Sequence, residues 1–121
     1  MSMIGIASSL STSLNRPLIN VDAYVPNKED RASPYFSPLL ASPELLKKLP
    51  PTYIEVCGAD PLYENGIVYA KKLEDCGVPV RLFILEGMPH GSFMGFPELN
   101  SSKVAHAKTA EATKWALEYR P

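Results

Sequence analysis

From residue 52 onward the hydrophobic pattern changes period several times, and each change marks an element. Thr52-Tyr53-Ile54-Glu55-Val56-Cys57 is dense in β-branched and aromatic residues and stops at Gly58, the pattern of a strand. From about Glu64 to Cys76, the apolar residues Ile67, Val68, Tyr69, Ala70, Leu73 and Cys76 occupy one helical face, with Lys71, Lys72, Glu74 and Asp75 on the other. Gly77 offers a left-handed exit from this helix and Pro79 blocks its continuation. Val80 to Leu85 forms a second strand, its Arg81-Leu82-Phe83-Ile84-Leu85 core buried on at least one face. A last helix is expected to start near Ser101 or Ser102, with either serine as cap, and to pack through Val104, Ala105, Ala112, Trp115, Ala116 and Tyr119. Strands joined by such a helix lie parallel with a right-handed crossover, so the fold class is α/β in β-α-β-α order.

Upstream the pattern dissolves. Pro26, Pro34, Pro38, Pro43, Pro50 and Pro51 remove backbone donors and fix φ, which predicts extended coil with one short helix around Pro43 to Lys48. Ser42 is placed to cap it, with Pro43 at its first position. Residues 1–51 therefore read as an irregular Ser/Pro-rich lead-in and residues 52–121 as the structured part. Met1 to Asn20 is rich in serine and poor in acids, a composition that transit peptides have. The plainer reading is a connecting loop or the arbitrary start of a shortened gene product. Ile4-Gly5-Ile6-Ala7 suits the end of a strand.

Composition narrows the partners. The 121 residues suit one domain, and 12 Lys plus Arg against 13 Asp plus Glu leave no basic stripe for phosphates, so no nucleic-acid partner is expected. No apolar run approaches the roughly 18 to 20 residues of a bilayer span, so no membrane span is expected. Cys57 closes the first strand and Cys76 the helix that returns from it. A helix of about twelve residues is roughly 18 Å long, and a disulfide needs Cα atoms within about 7 Å, so two free thiols are expected. Their spacing matches no zinc pattern, and the compartment is read as cytoplasmic.

In open parallel sheets, sites form beyond the carboxyl ends of the strands. Asp60 follows the first strand and His90 the second, and neighbouring strands lie about 4.8 Å apart. The loops leaving them can thus bring a carboxylate onto an imidazole, an arrangement suited to general base catalysis. Gly87 and Gly91 let the histidine loop turn sharply. Simpler roles remain open: Asp60-Pro61 suits a helix start, and a lone histidine between glycines is often only solvated. His106, among Lys103 and Lys108, reads as a surface residue. Phe93, Met94 and Phe96 either line an acyl pocket beside His90 or anchor its loop, and Glu64 and Glu86 read as solvated or structural.

Ser37-Pro38-Leu39-Leu40-Ala41, Leu49-Pro50-Pro51-Thr52, Gly58-Ala59-Asp60-Pro61-Leu62 and Gly87-Met88-Pro89-His90-Gly91, in this order, resemble the C-terminal third of the hormone-sensitive-lipase-like carboxylesterases. This is the fold-3 family of α/β-hydrolases, and the likeness runs from roughly Tyr24 to Trp115. The resemblance implies the C-terminal part of an α/β-hydrolase parallel sheet, with Asp60 as the acid and His90 as the histidine of a Ser-His-Asp triad. It implies carboxylic esters as substrates, an acyl-enzyme on serine, and no metal or organic cofactor. Departures accompany it. The Gly-x-Ser-x-Gly nucleophile elbow and the His-Gly-Gly-type oxyanion loop occur nowhere in the 121 residues. Tyr63-Glu64-Asn65-Gly66 stands where relatives commonly have Arg-Asp-Glu-Gly, and Ser92, between Gly91 and Phe93, is not expected to replace the missing serine. The expectation is a segment that supplies acid and base but is inactive alone, with an open sheet edge that invites a complementing chain or self-association. The alternative is a non-catalytic small-molecule-binding or interaction protein derived from the esterase scaffold.

Overall fold

A computed structural model describes Val21 and residues 24–120. The readings of Met1 to Asn20, the transit-like composition and the strand end at Ile4 to Ala7, lie outside the described residues. The chain divides into two compact units, Met1–Leu40 and Ala41–Pro121.

In the first unit the proline-dense stretch carries short 3-10 turns at Lys28–Ala32 and Pro38–Leu40, where plain coil was expected. Such turns need only i→i+3 bonds and therefore fit between prolines, and Pro38 begins the second where a missing N–H costs nothing. Asn27 caps the first, its Oδ1 accepting from the Glu29 amide at 3.2 Å.

The second unit opens with α1 (Pro43–Leu46). Pro43 takes the first helical position as expected, but the Ser42 side chain makes no capping bond; its carbonyl accepts from the Leu45 and Leu46 amides instead. Then follow β1 (Thr52–Cys57), α2 (Tyr63–Asp75), β2 (Val80–Leu85), the single turn α3 (Ser92–Gly95) and α4 (Asn100–Glu118). The strands are parallel, paired from Thr52↔Val80 to Cys57↔Leu85. Among the described residues each therefore keeps one edge without a strand neighbour.

Side chains alternate across this sheet and find different surroundings. On one face Ile54 and Val56 meet α2. Leu73 is wholly buried there, in a cluster with Leu46 and Val78 that Ala41, Ile54, Tyr69, Cys76 and Val80 complete. Gly66 makes the approach possible: a Cβ on it would stand 2.3 Å from Val56 Cγ1. On the other face α4 packs over Cys57 and Leu85 through Ala105, with Phe83, Met88 and Phe93 around them.

The last helix departs from expectation at its start. It begins at Asn100 after Leu99, with no side-chain cap, and Ser102 points inward, fully buried, its Oγ without a hydrogen-bond partner. Its buried stripe is Ser102, Ala105 and Ala112, whereas Val104 is half exposed. Small residues at this spacing let the helix lie close to the strands. Cys57 and Cys76 are both free thiols, as the helix length required.

Candidate active site

β1 ends in a tight turn whose hydrogen bonds join it to the end of β2. The Gly58 amide donates to the Leu85 carbonyl at 2.8 Å and the Ala59 amide to the Met88 carbonyl at 3.0 Å. The two loops thus leave the sheet tied together. Gly87 and Gly91 both adopt positive φ, +66° and +67°, a region that costs other L-residues roughly 1–2 kcal/mol. The loop reverses at these two points and holds His90 up between them.

Asp60 and His90, the two residues singled out from the sequence, meet here. His90 Nδ1 lies 2.6 Å from Asp60 Oδ2. A carboxylate only accepts, so the proton sits on Nδ1 and Nε2 is the nitrogen left free. The other carboxylate oxygen is occupied as well: the Leu62 amide donates to Asp60 Oδ1 at 2.8 Å. This local turn replaces the helix-start role, since α2 begins at Tyr63 with Leu62 at the cap position. One oxygen sets the carboxylate and the second faces the imidazole. The Asp60 side chain is 11 % exposed and that of His90 71 %. The carboxylate is sheltered and the imidazole looks outward.

Behind His90 the loop is held from below. Ser92 is buried, with Oγ 3.9 Å from the Cys57 thiol, and belongs to the packing beneath the loop. Of the three large apolar residues that follow, Phe93 packs on the Cys57–Leu85–Ala105 cluster, whereas Met94 and Phe96 are 72 % and 53 % exposed. Of these three, only Phe93 anchors the loop. Glu64 and Glu86 are exposed. Two surface grooves of about 270 and 250 Å³, which include Trp115 and Phe83 respectively, are lined by neither Asp60 nor His90.

Sequence reasoning missed His106. It is exposed as expected, yet its Nε2 lies 3.1 Å from the Phe93 carbonyl oxygen and its ring meets the Phe93 ring edge-on at 6.1 Å. The sequence did carry a signal: Pro97, four residues after Phe93, cannot supply the amide that a continuing helix would offer that carbonyl.

A second polar group lies under α4, away from the loops. Tyr53 Oη donates to Glu55 Oε2 at 2.9 Å and Thr109 Oγ1 to the same oxygen at 3.2 Å, while Glu55 Oε1 is buried without a partner. Burial, then the bond to Glu55, pushes the Tyr53 phenol above its usual range. Among the described residues, no cluster of three or more His, Cys, Asp or Glu could hold a metal ion, and no helix is long and apolar enough to cross a membrane.

A parallel β-α-β unit with a carboxylate and an imidazole paired beyond its carboxyl ends is an arrangement that can do general base chemistry. Residues 7–94 match the family model described as alpha/beta hydrolase fold. The chain belongs to this family, on its hormone-sensitive-lipase-like esterase branch. It is 42% identical over 59 residues to hormone-sensitive lipase of Mus musculus, covering 49% of this chain and 8% of that protein. To an AB hydrolase superfamily protein of Schizosaccharomyces pombe it is 36% identical over 87 residues, 72% of this chain and 25% of the relative. A thermostable esterase from Pseudomonas putida superposes with a TM-score of 0.74 at 32% identity, covering 82% of this chain and 32% of that one. The chain thus spans a third or less of these relatives.

Proposed function

We propose that this chain supplies the acid and the base of a serine carboxylesterase, with Asp60 orienting His90 and His90 Nε2 taking the proton from a serine carried by another part of the domain. The observation that supports it is the 2.6 Å contact between His90 Nδ1 and Asp60 Oδ2 beyond the carboxyl ends of adjacent parallel strands. Residues 52–121 are then the C-terminal part of an α/β-hydrolase domain, and residues 1–51 the lead-in to it. With no Gly-x-Ser-x-Gly elbow among its residues, the chain alone does not turn over esters. The open strand edge is where a complementing polypeptide adds its sheet, and in its absence a second copy competes for the same edge.

In the reaction the imidazole removes the serine proton as the hydroxyl attacks the ester carbonyl. It then returns that proton to the leaving alcohol, with the carboxylate stabilising the imidazolium between the two steps. The acyl group is left on the serine; a water deprotonated by the same imidazole attacks it, the carboxylic acid leaves, and the serine takes the proton back. The test is reconstitution. The chain is mixed with, or fused to, an α/β-hydrolase portion that bears the elbow, and hydrolysis of a p-nitrophenyl ester is measured. Turnover that His90→Ala abolishes is expected; a folded complex with no turnover overturns the proposal. A binding role without catalysis predicts instead that His90→Ala leaves ligand affinity unchanged in a complex that never hydrolyses.

A further inference from the structure

The β2–α3 connection that carries His90 is tied down both toward β1 and toward α4. Ahead of His90 the Met88 carbonyl accepts from the Ala59 amide at 3.0 Å, and behind it Ser92 Oγ meets the Cys57 thiol at 3.9 Å; both tethers lead to β1. Two more lead to α4, one of them from Ser101 Oγ, which donates to Met88 Sδ at 3.7 Å ahead of His90. His106 Nε2 lies 3.1 Å from the Phe93 carbonyl, with the two rings edge-on at 84°.

A carbonyl accepts only, so His106 donates, and its imidazole carries the proton on Nε2. The need for this donor is set by the chain itself. α3 closes with the Phe96 amide on the Ser92 carbonyl at 2.9 Å, and the next amide in the ladder would belong to Pro97, which has none. The Phe93 carbonyl is left open, and an unpaired backbone acceptor at a helix end needs a partner from elsewhere. A side chain on a different helix provides it and fastens the turn three residues beyond His90 to a rigid body.

The geometry points to His106 as a positioning residue for His90: through the Phe93 carbonyl it fixes the turn that sets where the imidazole stands against Asp60. This rests on the proposed catalytic role of His90. His106 itself touches neither Asp60 nor the reacting atoms. Its effect is on the precision of the base, and a displacement of about 1 Å at a catalytic group can cost up to about 100-fold in rate.

The test compares His106→Leu, which keeps bulk and removes the donor, with His106→Gln, whose amide N–H reaches to about the same point. In the reconstituted esterase, His106→Leu is expected to lower kcat about tenfold with KM within about twofold, and His106→Gln to recover most of the loss. In the chain alone, the low-field proton resonance of His90 Nδ1–H should broaden in His106→Leu and persist in parent and His106→Gln. Unchanged kcat and an unchanged resonance in a folded His106→Leu overturn the inference. A ¹⁵N spectrum of the parent with His106 protonated on Nδ1 alone also overturns it, and decides the matter should His106→Leu fail to fold. Failure of the catalytic reading looks different: the folded parent complex then shows no turnover, or turnover that His90→Ala leaves intact, whereas the resonance experiment still reports on His106.

Discussion

The two faces of the sheet do different work with similar materials. The α2 face is a cluster of Leu46, Leu73 and Val78 with Ile54, Tyr69 and Val80 around it, closed by generic apolar contact. The α4 face carries a buried cluster of the same size, Cys57, Leu85 and Ala105, but it lies beneath the histidine loop, with Met88 and Phe93 reaching down from it. One face holds the unit together and the other aims a side chain. Substitutions should therefore separate stability from chemistry according to the face they strike.

The largest separation is expected at Asp60. Asp60→Asn keeps an acceptor for the Leu62 amide but presents the wrong group to Nδ1, so in a reconstituted enzyme kcat should fall by about 10⁴-fold while the melting curve barely moves. Leu73→Ala should do the reverse: it opens a cavity at a wholly buried position and should cost about 2–5 kcal/mol in urea unfolding, with turnover per folded molecule unchanged. Equal losses of activity and stability in either variant would break the division between faces. Gly66→Ala drives a methyl into Val56 and should cost about 1–3 kcal/mol. Adding Val56→Ala should recover part of that, a coupling that a double-mutant cycle reads directly.

The smallest effect concerns Tyr53 and appears only in alkali. Burial and the Glu55 carboxylate raise its folded pKa above the ordinary tyrosine value of about 10, so the neutral phenol is favoured in the folded state. That contribution is fully present below about pH 10 and is lost as pH rises from there through the raised folded value. Thermal melts between pH 8 and 11 should show the parent losing stability more steeply above pH 10 than Tyr53→Phe. Parallel curves would place the phenol in solvent.

Much of this was legible in the residues, and for physical reasons. β1 and β2 carry β-branched and aromatic runs between glycines and prolines, and both strands fall where the pattern put them, Thr52–Cys57 and Val80–Leu85. Asp60 and His90 meet because a parallel β-α-β unit places both loops on one edge, which topology alone dictates. The helix starts were harder to read. Ser42 and Ser102 both look like caps, yet Ser42 bonds through its carbonyl and Ser102 is buried against the sheet, since packing overrides a local preference worth only about 1 kcal/mol. His106 was unreadable as a tether because its partner is a backbone carbonyl left open by a proline, and neither signal means anything until α3 and α4 are side by side.

The outward tilt of His90 gives the molecule a built-in gauge. Its side chain is 71 % exposed, so a small acylating reagent such as diethyl pyrocarbonate should modify it rapidly in this chain. His106, whose Nε2 is engaged, serves as the internal comparison. Covering of the site by a substrate, a complementing chain or a second copy then registers as slowed labelling at a single peptide, a footprint that can be followed before any enzymatic rate exists to measure.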